Sequence, residues 1–338
     1  MEGNQLQQTF FQQIKNNLPP YLSLVDEIVT SLNISHDSAY RRIRGEKSLS
    51  FEEMQKLAAS YKISIDQVLH LQSDAFIFNG RITNNTDFNF ENWLQTVIQN
   101  LSFILSYQPN HLFYLVKELP FFYYFLNPEV AAFKSYFFMK SILYYDDMKN
   151  VKFSVKDDFS QYNHLYKKIS DSYAAIPSTE IWSIENITSS LHQIEFYRIT
   201  GSLKSDEDAL ILFDKFEEII SHIEKQAELG VKLRAGQVTN SAGPAYKMFV
   251  NELIMGDNMQ LAQLGNTQVT YINHSVINFI LTRDPGFNDY MKKTLDNIAQ
   301  KSTPISEVNE KERLLFFNRL RAKIYAAKKN VTANPAYT

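Results

Sequence analysis

The strongest constraint on the fold of this chain is a set of helix-start and helix-stop signals crowded into residues 23–69. Ser50 and Glu53 fit the capping box, in which a serine caps a helix and the residue three positions later reaches back to the cap. Ser35 is a suitable N-cap for a second helix, and Asn33 stands where the chain must turn sharply, since asparagine tolerates the left-handed conformation. These signals predict four short helices joined by tight turns.

A leading helix and a polar segment set the limits of this region. Apolar residues at helical spacing predict a helix over 4–18, and Pro19 and Pro20 end it. With the four helices that follow, it would form a five-helix module over residues 1–72. We interpret residues 73–90 as a linker because turn-forming and polar residues accumulate there.

The remainder of the chain predicts a larger helical, aromatic-rich domain over 91–230 and an α+β part over 231–330, which could form one unit with it. Glycine-containing turns after residue 231 separate three expected strands, 247–255, 258–264 and 268–281, and predict a small antiparallel meander. The predicted fold class is therefore mostly α, finishing as α+β. The candidate helices of this remainder are 91–106, 110–118, 128–146, 158–173, 183–200, 206–229, 287–301 and 307–327.

Composition excludes several classes of protein. At 338 residues with 44% hydrophobic and 21% charged residues, the chain has enough apolar surface for a sizeable core and suits two or three domains. The absence of cysteine excludes disulfides, cysteine nucleophiles and zinc sites with thiolate ligands. The first residues lack a signal-peptide pattern, and the longest charge-free stretch, 92–116, is interrupted by polar residues and Pro109. We expect a cytoplasmic protein without a membrane span.

The segment Ile34–Gly45, ISHDSAYRRIRG, resembles the lambda-repressor-like (Xre-type) helix-turn-helix family. That family passes from a small apolar residue and a serine into its recognition helix, which ends at a glycine. The helix expected over 51–61 and the Ile63-Ser64-Ile65-Asp66 segment look like the family's next elements. The resemblance covers about 50 of 338 residues and implies that this module binds double-stranded DNA through the major groove.

Carried over by position, the resemblance assigns two groups of DNA-contacting residues. Base edges would be met by His36, Asp37, Ser38 and Arg41, whereas phosphates would be met by Ser35, Arg42, Arg44 and Lys47. The chemistry agrees, because arginine can pair with guanine through two hydrogen bonds and serine or histidine can bond base edges. Asp37 would have to accept from cytosine N4 to avoid repelling the duplex.

Three further patterns allow two interpretations each. The apolar positions of 206–229 follow a heptad seam, which suits either a helix facing the core or a dimerisation helix. The aromatic cluster between Phe113 and Phe153 suits either helix packing or a pocket for a planar effector. The basic run over 311–329 suits either a solvated helix face or a second basic surface.

No motif predicts catalysis, a metal or a cofactor. No two of the seven histidines lie three or four residues apart, and nucleotide-binding and hydrolase signatures are missing. We therefore expect a non-enzymatic, homodimeric transcriptional regulator whose C-terminal region dimerises and senses a small-molecule or protein effector. The main alternative is a protein-interaction adaptor that retains the helical module without binding DNA. An enzymatic C-terminal domain is a third hypothesis, resting on domain size alone.

Overall fold

The computed structural model describes residues 3–68, 76–80, 89–237, 243–253, 256–273 and 278–336. Over these ranges the chain is mostly helical and carries a mixed eight-stranded sheet, whose strands lie between residues 79 and 304. The helices are α1 (Gly3–Asn17), α2 (Leu24–Leu32), α3 (His36–Ile43), α4 (Phe51–Tyr61), α5 (Ile65–Val68), α6 (Phe90–Leu105), α7 (Pro128–Phe137), α8 (Asn163–Ala174), α9 (Thr188–Ile199), α10 (Asp206–Leu229), α11 (Pro285–Gln300) and α12 (Glu310–Ala333). The strands are β1 (Asn79–Gly80), β2 (Asn110–Leu115), β3 (Ser178–Trp182), β4 (Tyr246–Val250), β5 (Met259–Leu264), β6 (Thr267–Asn273), β7 (Phe279–Thr282) and β8 (Thr303–Pro304).

The first five helices pack around a core of their own. Apolar residues of α1 contribute to it together with one residue each from α2, α3 and α4, so the leading helix closes the cluster. Such a shared interior is what holds short helices in place, because helices of this length are marginal when isolated. The buried members are Phe10, Phe11, Ile14, Leu18, Ile28, Ala39, Leu57, Ile63 and Val68.

The sheet corrects the predicted meander. Its strand order is β1-β7-β6-β5-β2-β3-β4-β8. Strand β3 pairs in parallel with β2 on one side and with β4 on the other, and all other pairings are antiparallel. The meander is β5–β6–β7, whereas the predicted first strand, β4, lies three places away beside β3. Residues 110–118 were wrongly predicted as a helix, since β2 occupies 110–115, and β3 was not predicted.

Helices cover the two faces of this sheet unequally. On one face, alternate strand residues such as Tyr114, Trp182 and Met248 join a large core formed with α6 to α10 and α12. On the other face, Leu115 and Ile181 contact α11. This alternation follows the period of two along each strand and places β2 and β3 in the middle of the domain.

Helix α10 is an internal element. The seam positions of the predicted heptad from Ala209 to Ala227, including Phe213, Phe216 and Ile220, are fully buried inside the chain. Helix α12 packs along α10, and Lys328 of its basic run binds Glu217 at 2.8 Å while Lys323 binds Glu185 at 2.8 Å. The core-facing interpretation of the seam is therefore correct, and much of the basic run serves helix docking.

The aromatic cluster is also internal. Residues 121–126 form a 3-10 helix whose side chains at 122–125 are buried, and the aromatic residues of α7 pack beside them. Among the residues described, no helix combines the length and the apolar character needed to cross a membrane.

Candidate functional site

The segment that resembles a recognition helix is α3, and local capping fixes both of its ends. Asn33 takes the left-handed conformation at φ 53°, as its position predicted, and ends α2. The Ser35 side chain accepts a hydrogen bond from the Ser38 amide at 3.3 Å and so caps α3. After the helix, Gly45 at φ 77° reverses the chain, a conformation that favours glycine. These devices present α3 as a short rod between two sharp turns.

One face of α3 is open to solvent. His36, Asp37, Tyr40, Arg41 and Arg44 are all exposed and recur at steps of one, three or four residues, which places them along one side of the helix. Of the predicted base-contacting residues, His36, Asp37 and Arg41 lie on this face, whereas Ser38 is half-buried. Tyr40 was not among the predicted contacts, although it carries the Arg44 guanidinium 5.7 Å from its ring centre.

Arg42 does not fit its predicted role as a phosphate contact, because its side chain is buried. Its Nε and Nη2 donate to the Glu53 carboxylate at 3.1 and 2.6 Å, and its Nη1 donates to the Ser38 carbonyl at 3.2 Å. Glu53 is also the acceptor in the capping box that starts α4, through the Ser50 amide. Arg42 therefore joins α3 to α4, and we remove it from the set of candidate DNA contacts.

The remaining cations differ in their surroundings. Arg44 lies 3.8 Å from Glu46, and both side chains are at least half exposed. Within the described ranges, neither Arg41 nor Lys47 has a carboxylate within 4 Å, so both are available to an anionic partner. Opposite charge is present too, since His36 Nε2 lies 3.1 Å from Asp26 of α2. The open surface thus combines Arg41, Arg44 and Lys47 with a few carboxylates.

Helix α1 holds the loop that follows α3. The Gln7 amide nitrogen donates to the carbonyls of Arg42 and Lys47 at 2.7 and 2.8 Å, and its oxygen accepts from the Leu49 amide at 3.0 Å. Gln8 donates to the Arg44 carbonyl at 2.8 Å. The position of the candidate interface is therefore fixed by α1 through backbone groups as well as by the shared core.

The larger domain contains an apolar cavity between α6 and the sheet. Its volume is about 60 Å³, room for about two water molecules. Trp93, Phe121 and Phe138 form its aromatic wall, and Asn100 and Gln260 add amide groups. This space is small for a planar effector, and most of the aromatic side chains around it are buried in the packed core.

A fully buried ion pair joins Glu180 of β3 to Lys232, and no sequence pattern indicated it. Glu180 is the middle residue of β3, and its carboxylate accepts from Lys232 Nζ at 3.0 Å. Burial opposes ionisation of Glu180, but the Lys232 charge and the neighbouring donors outweigh burial and lower its pKa. Burial lowers the pKa of Lys232 to about 8 despite the attraction of Glu180. Among the described residues, the carboxylate also accepts from Tyr123 at 2.9 Å, Tyr173 at 2.5 Å, Trp182 at 2.8 Å, Tyr246 at 3.0 Å and, at the longer distance of 3.4 Å, Ser178.

A second buried lysine lacks a carboxylate partner in the part of the chain described. Lys134 of α7 donates to Ser190 Oγ at 2.8 Å and Gln193 Oε1 at 2.6 Å, both on α9. Burial lowers the pKa of Lys134 to about 7. Both buried lysines are therefore held by side chains of this chain: Lys134 by Ser190 and Gln193, and Lys232 by Glu180 and Tyr123.

Comparison of this chain with known proteins identifies no relative. No known protein family, curated protein or solved structure matches this chain. Over the described ranges, no group of three or more histidine, aspartate or glutamate side chains is arranged to hold a metal ion.

Proposed function

We propose that this protein is a sequence-specific DNA-binding transcriptional regulator of the lambda-repressor-like (Xre-type) kind. The observation that supports this best is the exposed face of α3, which stands between a capped start and a glycine turn at the surface of a five-helix cluster. A short helix presented in this way fits the major groove of duplex DNA.

The proposed contacts follow from exposure. Arg41, on the open face, is the residue best suited to read a guanine edge, with His36 and Asp37 at the start of the helix beside it. Arg44 and Lys47 follow at the end of the helix, where they would neutralise phosphates. Ser35 and Ser38 serve mainly to start the helix, since they bond to each other.

Dimerisation remains part of the proposal, but through a different surface. A two-fold dimer would place two recognition helices about 34–36 Å apart, in successive major grooves. Because the α10 seam is filled within the chain, a homodimer would have to use another face of the protein. We further propose that the C-terminal domain responds to an effector.

Selection of bound duplexes from a random pool tests the proposal. We expect the full-length protein to enrich a palindromic or repeated site, and Arg41→Ala to relax selectivity at one base position. A variant of a remote exposed arginine, Arg234→Gln, serves as the matched control and should retain the full site. Absence of any enrichment at low salt would refute DNA binding.

One observation favours the adaptor as a second candidate. The N-terminal helices carry exposed aromatic side chains, with Tyr21 77%, Phe51 79% and Tyr40 47% accessible. Aromatic residues are enriched in protein interfaces, and the buried Arg42 leaves fewer cations for phosphates. If the pool selection fails, Phe51→Ser and Tyr21→Ser should weaken binding to a protein partner without destabilising the fold.

A further inference from the structure

A polar cleft separates the N-terminal helices from the sheet. Its volume is about 320 Å³, within the range of sites that hold small organic molecules. The walls come from α1, the turn between α4 and α5, β1, the β5–β6 turn and the start of α11. Asparagine and glutamine make up more than half of the lining residues, so most of the hydrogen-bonding groups of the cleft are side-chain amides.

Arg283 gives this cleft an unbalanced positive charge. Its side chain is half-buried, with the guanidinium 5.7 Å from the ring centre of Phe103. Its Nε is buried and has no hydrogen-bond partner, and no carboxylate in the described ranges lies within 4 Å of the guanidinium. Lys62 also lines the cleft, against a single lining carboxylate, Asp289. A buried donor without a partner is costly. An anionic ligand in the cleft would balance the excess of positive charge from Arg283 and Lys62.

Helix α1 connects the cleft to the candidate DNA-binding surface. Gln13, Asn16 and Asn17 line it from the C-terminal half of α1. At the other end of the same helix, Gln7 and Gln8 hold the backbone that follows α3. A ligand that shifts α1 against the sheet would therefore move the groups that position α3.

We propose that this cleft binds a small oxyanion, a carboxylate or phosphate compound, with Arg283 as its principal partner and Lys62, Gln13 and Asn16 as further donors. Binding at this site changes the affinity of α3 for DNA through α1. The binding part stands on the cleft alone, whereas the coupling to DNA rests on the proposed function.

Thermal unfolding of the full-length protein tests the binding part. Sodium phosphate and disodium succinate are compared with sodium chloride at equal ionic strength, which separates a phosphate ligand from a carboxylate ligand. We expect at least one of the two to raise the melting temperature saturably. Arg283→Gln should weaken that ligand at least about tenfold, whereas Arg234→Gln, an exposed arginine outside the cleft, should leave the affinity unchanged.

Arg283→Lys keeps the test decisive if Arg283→Gln does not fold. It retains the charge but loses the planar fork, so we expect weaker binding than in the wild type. No saturable shift over chloride with either anion, or equal affinity in the wild type and the Arg283 variants, would overturn the proposed site.

Coupling is measured separately on the DNA selected from the pool. We expect the ligand at saturation to change DNA affinity by about fivefold or more in the wild type and not in Arg283→Gln. An unchanged DNA affinity would overturn the coupling alone. Failure of the pool selection would refute DNA binding and leave the thermal measurement intact, because that measurement contains no DNA.

Discussion

Replacing Arg42 separates a structural role from a DNA-contacting one. The Arg42 side chain is 6% exposed and donates twice to Glu53, whose side chain is 22% exposed. Hydrogen bonds to a charged partner contribute about 1.5–3 kcal/mol each, which sets an upper range of about 3–6 kcal/mol. Because the freed Glu53 is partly hydrated and keeps its bond to the Ser50 amide, we expect Arg42→Met to lower the free energy of unfolding by about 2–4 kcal/mol.

That loss is large for a cluster of five short helices. Domains have a free energy of unfolding of about 0.05–0.15 kcal/mol per residue, which gives about 3–10 kcal/mol for a unit the size of residues 3–68. Urea denaturation followed by circular dichroism measures the change. In a double-mutant cycle with Glu53→Gln, the two substitutions together should cost clearly less than their sum.

The salt dependence of DNA binding tests the other possible role of Arg42, a contact with phosphate. Each phosphate contact contributes about −0.9 to the slope of log K against log salt. If Arg42 only joins α3 to α4, the folded Arg42→Met variant should retain the wild-type slope. A slope reduced by about one, with unchanged stability, would show that Arg42 contacts phosphate and that our interpretation of the pair is wrong.

Acid should weaken the same pair. The hydrogen bond from Arg42 is the main cause that lowers the pKa of Glu53 below its ordinary value of 4.5. The stability that the carboxylate contributes is therefore fully present above about pH 4.5, and it is lost as pH falls through the lower folded-state pKa. Arg42→Met should lack this part of the acid transition.

Three other substitutions test the phosphate contact of Lys47 and the two buried lysines. Lys47→Ala should reduce DNA affinity evenly across sequences and lower the salt slope by about one, as measured by fluorescence anisotropy, and an unchanged slope would exclude a phosphate contact. Glu180→Gln should cost about 3–5 kcal/mol in urea denaturation because it leaves the buried Lys232 unpaired, and a change below about 1 kcal/mol would contradict the buried ion pair. For Lys134, whose pKa is lowered to about 7, the unfolded chain keeps its proton longer than the folded chain as pH rises. Wild-type stability should therefore increase between about pH 7 and 10 by an amount that Lys134→Met lacks, and equal pH profiles in the two proteins would refute this.

Local signals predicted the N-terminal helices well because the ends of α2, α3 and α4 are set by capping residues at the helix ends themselves. Ser35, Asn33 and the pair of Ser50 with Glu53 act as their types suggest, since capping and left-handed turns depend only on neighbours within a few positions. Helix α10 was predicted with its full span for the same reason, as Ser205 caps it and Gly230 ends it in the left-handed conformation.

The sheet was harder to predict because its central strands are buried on both faces. Strand β2, NHLFYL, is a short apolar run, and such a run lacks the alternation that separates a strand from a buried helix. Strand β3, STEIW, places Glu180 in the interior, where only a lysine 52 residues later in the sequence makes it tolerable. No local pattern contains that information, because the partner arrives through the tertiary fold.

In the candidate site, too, the sequence could not show which side chains are buried and which are exposed. Arg41, Arg42 and Arg44 are equivalent cations in the sequence, but the helix turns Arg42 toward Glu53 and leaves the other two outside. The cleft that holds Arg283 joins segments more than 200 residues apart and could not be anticipated from spacing.

The small number of free cations also bears on how the protein would bind DNA. With Arg42 bound to Glu53, each module would offer phosphates only Lys47 and Arg44, and Arg44 also lies 3.8 Å from Glu46. Two such contacts are too few for tight binding by charge alone. Two modules held on one duplex would gain affinity because the second contact becomes intramolecular. DNA binding by such a chain would then depend on the spacing of the two recognition helices as well as on the contacts that each one makes.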